Sequence, residues 1–170
     1  MGTATTTPYA LGGSVQQTSH QQRSDHRRCH ADDVSVSKDE SAESPWASSV
    51  VLGSGDTAFI RPLTVDDKAA LAEFHRQQSP ESIYRRYFSP KPELNDKELD
   101  HFTAVDMVDR AALVVESHDE FIAWASYERW PGRNEAEAAF MVADSRQGEG
   151  IATLLLEHLA AIARSNGIER

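Results

Sequence analysis

A strand, a glycine-containing loop and a long apolar-faced helix follow one another between Glu135 and Asn166, and this succession constrains the fold more than any other part of the chain. Glu135 to Ala143 reads as a strand. Gly148 and Gly150 follow. Beyond them Ile151, Leu155, Leu159 and Ala163 recur at helical spacing, and Ala152, Leu156 and Ala160 widen that face. Arg164 and Asn166-Gly167 close the helix as a cation and a C-terminal glycine should. Without Cβ atoms the loop backbone can turn sharply and approach a ligand. The N–H groups of the first helical turn have no partners within the helix, so such a loop can hold an anion such as a pyrophosphate. No Gly-Lys-Ser/Thr follows, which excludes a nucleotide P-loop, and G-x-G-x-x-G is absent. Two glycines alone fit a plain tight turn equally well.

Upstream, Thr57 to Leu63 reads as a strand ended by Pro62. Thr64 with Asp67 approximates a capping box for a helix running to about Gln78. Ser79-Pro80 restarts a helix carrying Ile83, Tyr84, Tyr87 and Phe88. Asn95 with Glu98 opens a third. Ala111 to Val115 are consecutively apolar and predict a strand buried on both faces. A polar turn at Ser117–Glu120, a strand from Phe121 to Trp130 and a turn at Pro131–Asn134 complete an antiparallel meander. Strand, helices, meander and helix together predict an α/β (α+β) fold in three layers.

Apolar residues are unevenly spread. Residues 1–50 hold 14 of the Ala/Val/Ile/Leu/Met/Phe/Trp/Tyr/Cys class and 51–170 hold 53, and Leu11 is the one leucine of the first fifty. A segment so poor in apolar side chains cannot offset its chain entropy, so residues 1–55 are expected to be a disordered tail and 56–170 the folded part. In the tail, Met1 to Thr6 fits a short myristoylation pattern. His20, His26, Cys29 and His30, interspersed with Arg23, Arg27 and Arg28, read as a flexible basic patch rather than a metal site. The net charge of -10 argues against a uniform nucleic-acid surface. No stretch approaches the ~20 apolar residues that a membrane-crossing helix needs. A single cysteine excludes an intramolecular disulfide and fits a cytoplasmic setting.

Gln147-Gly148-Glu149-Gly150-Ile151-Ala152 matches Gln/Arg-x-x-Gly-x-Gly/Ala after a strand and at the start of an apolar-faced helix. In this the chain resembles the GNAT (Gcn5-related) N-acetyltransferases, in element order as well as motif, from about Ala58 to Arg170. Ser82-Ile83-Tyr84-Arg85-Arg86-Tyr87-Phe88 and Asp144-Ser145-Arg146-Gln147-Gly148 are most similar to GNAT domains of bacterial protein lysine acetyltransferases, which are often fused to an acyl-CoA synthetase-like module. The resemblance implies a mixed, mainly antiparallel sheet flanked by helices. It implies acetyl-CoA as co-substrate, no metal, and a protein lysine or small amine as acceptor. Met141 and Val142 would bond the acetyl and pantetheine groups through their backbone. Gln147, Gly148, Glu149, Gly150, Ile151, Ala152 and Thr153 would bind pyrophosphate, with the Glu149 side chain turned away.

A lysine amine, with a pKa of ~10.4, must lose a proton before it attacks. Similar enzymes often carry a base on the motif strand, where Glu137 is the candidate and Glu135 the runner-up. Alternation puts Glu135, Glu137, Ala139 and Met141 on one face. A solvated strand end would also accommodate both glutamates. Tyr84, Tyr87, Phe88, Tyr127, Glu128 and Trp130 could border an acceptor groove or simply pack. In the family further strands follow the motif helix and often supply a tyrosine acid. None of these lies before Arg170, so the chain is expected to be a fragment lacking the C-terminal strands and inactive alone. Two other readings stay open: an acyl-CoA-binding regulatory module without turnover, and a small-molecule amine acetyltransferase.

Overall fold

The computed structural model describes residues 37–170. Helix α1 (Lys38–Ala42) and strand β1 (Ser48–Val51) precede β2 (Thr57–Pro62). A 3-10 turn at Val65–Asp67 leads into α2 (Lys68–Arg76), then α3 (Pro80–Tyr87) and α4 (Asp96–Thr103). Strands β3 (Arg110–Ser117), β4 (Glu120–Arg129) and β5 (Ala136–Val142) follow. A second 3-10 turn, Asp144–Arg146, and helix α5 (Ile151–Ser165) complete the described chain. The strands form one sheet in the order β1-β2-β3-β4-β5, every neighbour antiparallel. Among the described residues no helix is long and apolar enough to cross a membrane.

The fold begins earlier than the expected boundary at residue 56. Ser37 caps α1 in a reciprocal capping box with Glu40. Strand β1 pairs with β2 from Ser48 opposite Ile60 to Val51 opposite Thr57, and Leu52 is buried beyond it. Low apolar content misleads here because a cap, main-chain pairing with β2 and a few well-placed side chains hold this segment, with Leu52 in the core and Trp46 and Val50 packed against it. The tail features at Met1–Thr6 and at His20, His26, Cys29 and His30 lie outside the described residues.

Strand β3 is buried on both faces, as its unbroken apolar run requires. Ala111, Leu113 and Val115 pack with Leu155, Leu159 and Ile162 of α5. Ala112 and Val114 face the opposite way, toward Leu71, Phe74, Ile83 and Leu99 of the α2–α4 layer and Trp124 of β4. Each fully buried Leu or Ile stabilises by about 1.5–3 kcal/mol, so both layers are anchored on one central strand. The β3–β4 turn places His118 and Asp119 at φ 52° and 62°, the two consecutive left-handed residues of a tight hairpin.

Beside the first layer lies a charged cluster that apolar patterning does not reveal. Arg61, 1% exposed, grips Asp67 bidentately at 2.7 and 2.8 Å. It also donates to both oxygens of Glu116, at 2.7 and 3.2 Å, and Glu116 meets Lys38 at 2.8 Å. The Asp67 carboxylate further accepts from the Thr64 N–H and hydroxyl. The pair expected to cap a longer helix therefore closes the 3-10 turn, and α2 starts at Lys68.

Candidate active site

Strand β5 is the sheet edge beside the glycine loop. Gly148 and Gly150 adopt φ 86° and 82°, and a Cβ on either would meet open space. The left-handed backbone favours glycine at both positions, and the open space leaves room for a ligand. Gly150 stands directly before α5 as its N-cap, and no side chain caps the first N–H groups of the helix. At Gly53 the reason for glycine differs, because a Cβ there would sit 3.0 Å from the Glu149 carbonyl oxygen, which accepts the Gly53 N–H.

A cavity of about 520 Å³ opens over this loop. It is walled by β5 at Met141 and Val142, by the loop from Gln147 through Gly148 and Gly150, and by Ile151, Ala152 and Thr153 of α5. Glu149 is the one loop residue that does not line it. Its carboxylate accepts from the Ser54 hydroxyl at 3.1 Å and pairs with Arg146 at 3.2 Å, without hydrogen-bond alignment at Arg146 Nε. The fourth wall comes from α3, through Ser82, Arg85 and Arg86. No phosphate-loop pattern in the sequence points to these residues, since α3 precedes the loop by some sixty positions. Asp144 joins the two parts. It accepts from the Ser79 N–H at 2.7 Å, the Ser82 hydroxyl at 2.5 Å and the Gln147 side chain at 3.0 Å. The Ser82 hydrogen bond, foremost, holds the Asp144 carboxyl below its usual range.

A second cavity, of about 210 Å³, lies further back along β5. Glu137 and Ala139 line it with Arg86, His101, Phe102, Arg110 and Glu128. Glu137 stands opposite Glu128 across the β4–β5 ladder. His101 Nε2 is 3.1 Å from Glu128, and His101 Nδ1 is 2.9 Å from Arg110 Nη1. Glu135 is elsewhere: it ion-pairs with Arg170 at 2.9 Å and lines neither cavity. Of the other aromatic candidates, Tyr84, Phe88 and Trp130 are exposed. Tyr87 packs against His75, and burial pushes its hydroxyl up to about 12. Tyr127 donates to the Val108 carbonyl. Among the described residues no tyrosine lines the loop cavity.

A five-stranded antiparallel sheet flanked by helices, whose edge strand passes through a Gly-x-Gly turn into an apolar-faced helix, is the fold of a GNAT acetyltransferase domain. The chain belongs to the acetyltransferase (GNAT) family, whose model matches residues 72–170. The crystal structure of the GNAT domain of S. lividans PAT is 46% identical and superposes with a TM-score of 0.69, covering 72% of this chain and 74% of that one. Acetyltransferase PA5475 of Pseudomonas aeruginosa is 27% identical over 129 residues, 74% of this chain and 68% of that protein. The fold is shared also by yncA from Salmonella typhimurium, solved with its cofactor acetyl-CoA, at 23% identity and a TM-score of 0.54 over 65% of each chain.

Proposed function

We propose that this protein transfers an acetyl group from acetyl-CoA to a primary amine, with a protein lysine as acceptor. The observation that carries the reading is the succession of two cavities along one strand. The first lies over the glycine loop and suits a pyrophosphate and its pantetheine arm. The second holds the carboxylate able to deprotonate an amine. Main-chain N–H groups from Gly148 to Thr153 bind the phosphates, beside the Arg85 guanidinium of the α3 wall. Met141 and Val142 guide the acyl arm. Glu128 and Glu137, opposite each other, attract a cationic acceptor, and Glu137 takes its proton.

The second cavity is a recess that carries Glu137, and a lysine's long stem can bring its amine down to that carboxylate. The test is CoA release by the full-length protein with acetyl-CoA, comparing a lysine-containing peptide with a small polyamine. Transfer to the peptide at the higher kcat/KM is expected. Preference for the polyamine would identify a small-molecule acetyltransferase. Acetyl-CoA binding without CoA release to either acceptor would identify a binding module and overturn the proposal.

A further inference from the structure

Among the described residues Arg86 is the one side chain that lines both cavities. It comes from α3, outside the sequence motif. Its guanidinium carbon lies 5.0 Å from the Tyr87 ring centroid, 5.1 Å from Trp124 and 5.9 Å from Phe102. Three rings therefore fix its position by stacking and cation–π attraction. Its Nε is buried without a partner, and among the described residues no carboxylate pairs with it. Burial pushes its pKa down, though Tyr87 and Glu137 act to raise it, and an arginine stays protonated. A half-buried cation held in place by three rings, with no carboxylate partner among the described residues, is poised for a negative charge that arrives during the reaction.

Resting on the acetyl-transfer reading, we infer that Arg86 is a catalytic residue that donates a hydrogen bond to the thioester carbonyl oxygen, stabilising the oxyanion formed where the two cavities meet. The amine lone pair forms the N–C bond while the carbonyl π electrons move onto oxygen, next to the guanidinium. Their return breaks the C–S bond and expels the CoA thiolate. Glu137 takes one proton from the ammonium before attack and passes it to solvent; the second, lost from the nitrogen once the N–C bond has formed, reaches the departing thiolate through water. The products are the acetylated amine and CoA-SH. A planar guanidinium fixed from one side meets this charge with no reorganisation, and an interaction made only in the transition state raises kcat rather than affinity.

The test uses the full-length protein with Arg86→Met, Arg86→Lys and Arg86→Ala, each checked by its thermal melt. Arg86→Met is expected to lower kcat by ~10²–10³-fold, the range for loss of one oxyanion donor, with acetyl-CoA Kd and acceptor KM within about threefold of wild type. Arg86→Lys keeps the charge and should recover part of kcat. Added methylguanidinium should rescue Arg86→Ala, which a purely structural role would not show. A raised acceptor KM with unchanged kcat would make Arg86 an acceptor anchor and overturn the inference. Unchanged kinetics in a folded Arg86→Met, or failure of Arg86→Lys and of methylguanidinium to restore any activity, would overturn it too. If wild type itself transfers no acetyl group, the function reading fails, and that result is visible before any variant is measured.

Discussion

Glu137 of β5 and Glu128 of β4 stand opposite each other across the ladder, and both line the smaller cavity. Residues paired this way on one face have Cβ atoms about 4.5–5.5 Å apart, where like charges repel. Glu128 is relieved by His101, 3.1 Å away. Glu137 has no comparable ion pair among the described residues.

Glu137→Gln is expected to lower kcat by ~10²–10⁴-fold with little change in CoA affinity. The loss should shrink as pH rises, because the acceptor amine then deprotonates unaided. Glu135→Gln, outside both cavities, should remain close to wild type. Steady-state pH profiles of the two variants check this, and a dead Glu135→Gln beside an active Glu137→Gln would reverse the assignment.

Gly150→Asp should weaken CoA binding by about 1–3 kcal/mol, roughly 5–150-fold in Kd. It forces a side chain into a φ of 82° and sets a negative charge at the α5 N-terminus. Gly150→Ala carries the backbone strain without the charge and separates the two contributions. Calorimetry with CoA measures both, and unchanged affinity in folded Gly150→Asp would remove the loop assignment.

Asp67→Ala should destabilise the fold by about 3–5 kcal/mol, since it leaves Arg61 buried with half its counter-charge. The same cluster sets an acid limit. Burial acts to raise the carboxyls of Asp67 and Glu116, but the Arg61 hydrogen bonds and charge outweigh it, and both end below their usual values. A carboxyl depressed in the folded state contributes stability above its unfolded pKa, ~3.9 for Asp and ~4.3 for Glu. That contribution falls away as pH drops through the lower folded values. Urea midpoints should therefore be level above about pH 5 and decline below about pH 4, with a smaller decline in Asp67→Ala.

Asp144→Ala should raise the acetyl-CoA Kd by about 3–10-fold while costing only about 0.5–2 kcal/mol of stability, the range for a lost helix cap. The carboxylate ties Ser79 and Ser82 of the α3 start to Gln147 of the loop. Without it, the wall bearing Arg85 and Arg86 loses its tether to the loop. A chemical melt and a CoA titration of the same variant distinguish a loosened cavity from a destabilised fold.

Several elements were legible in the sequence because their causes are local. Ser79 and Asn95 accept from the N–H groups three residues on, as their cap positions require. The apolar run of β3 and the glycines before α5 each produce the element they signal. The start of the fold was not legible, because α1 and β1 are held by a cap, β2 pairing, the reach of Lys38 to Glu116 and the packing of only three apolar side chains, Trp46, Val50 and Leu52, on the core. Nor was the wall contributed by α3. Its side chains meet the glycine loop only through folding, over a separation that no periodicity can encode.

The sequence alone determined the strand–loop–helix geometry, since a positive φ at Gly148 and Gly150 and an apolar stripe on α5 are properties of neighbouring residues. Tertiary structure alone decided which glutamate faces a cavity. Glu135 and Glu137 share a strand face in the sequence pattern, yet Arg170 draws Glu135 away while the β4–β5 register sets Glu137 against Glu128. It also brought Arg86 to the junction of the two cavities, because only the packing of Tyr87, Phe102 and Trp124 around one guanidinium holds it there.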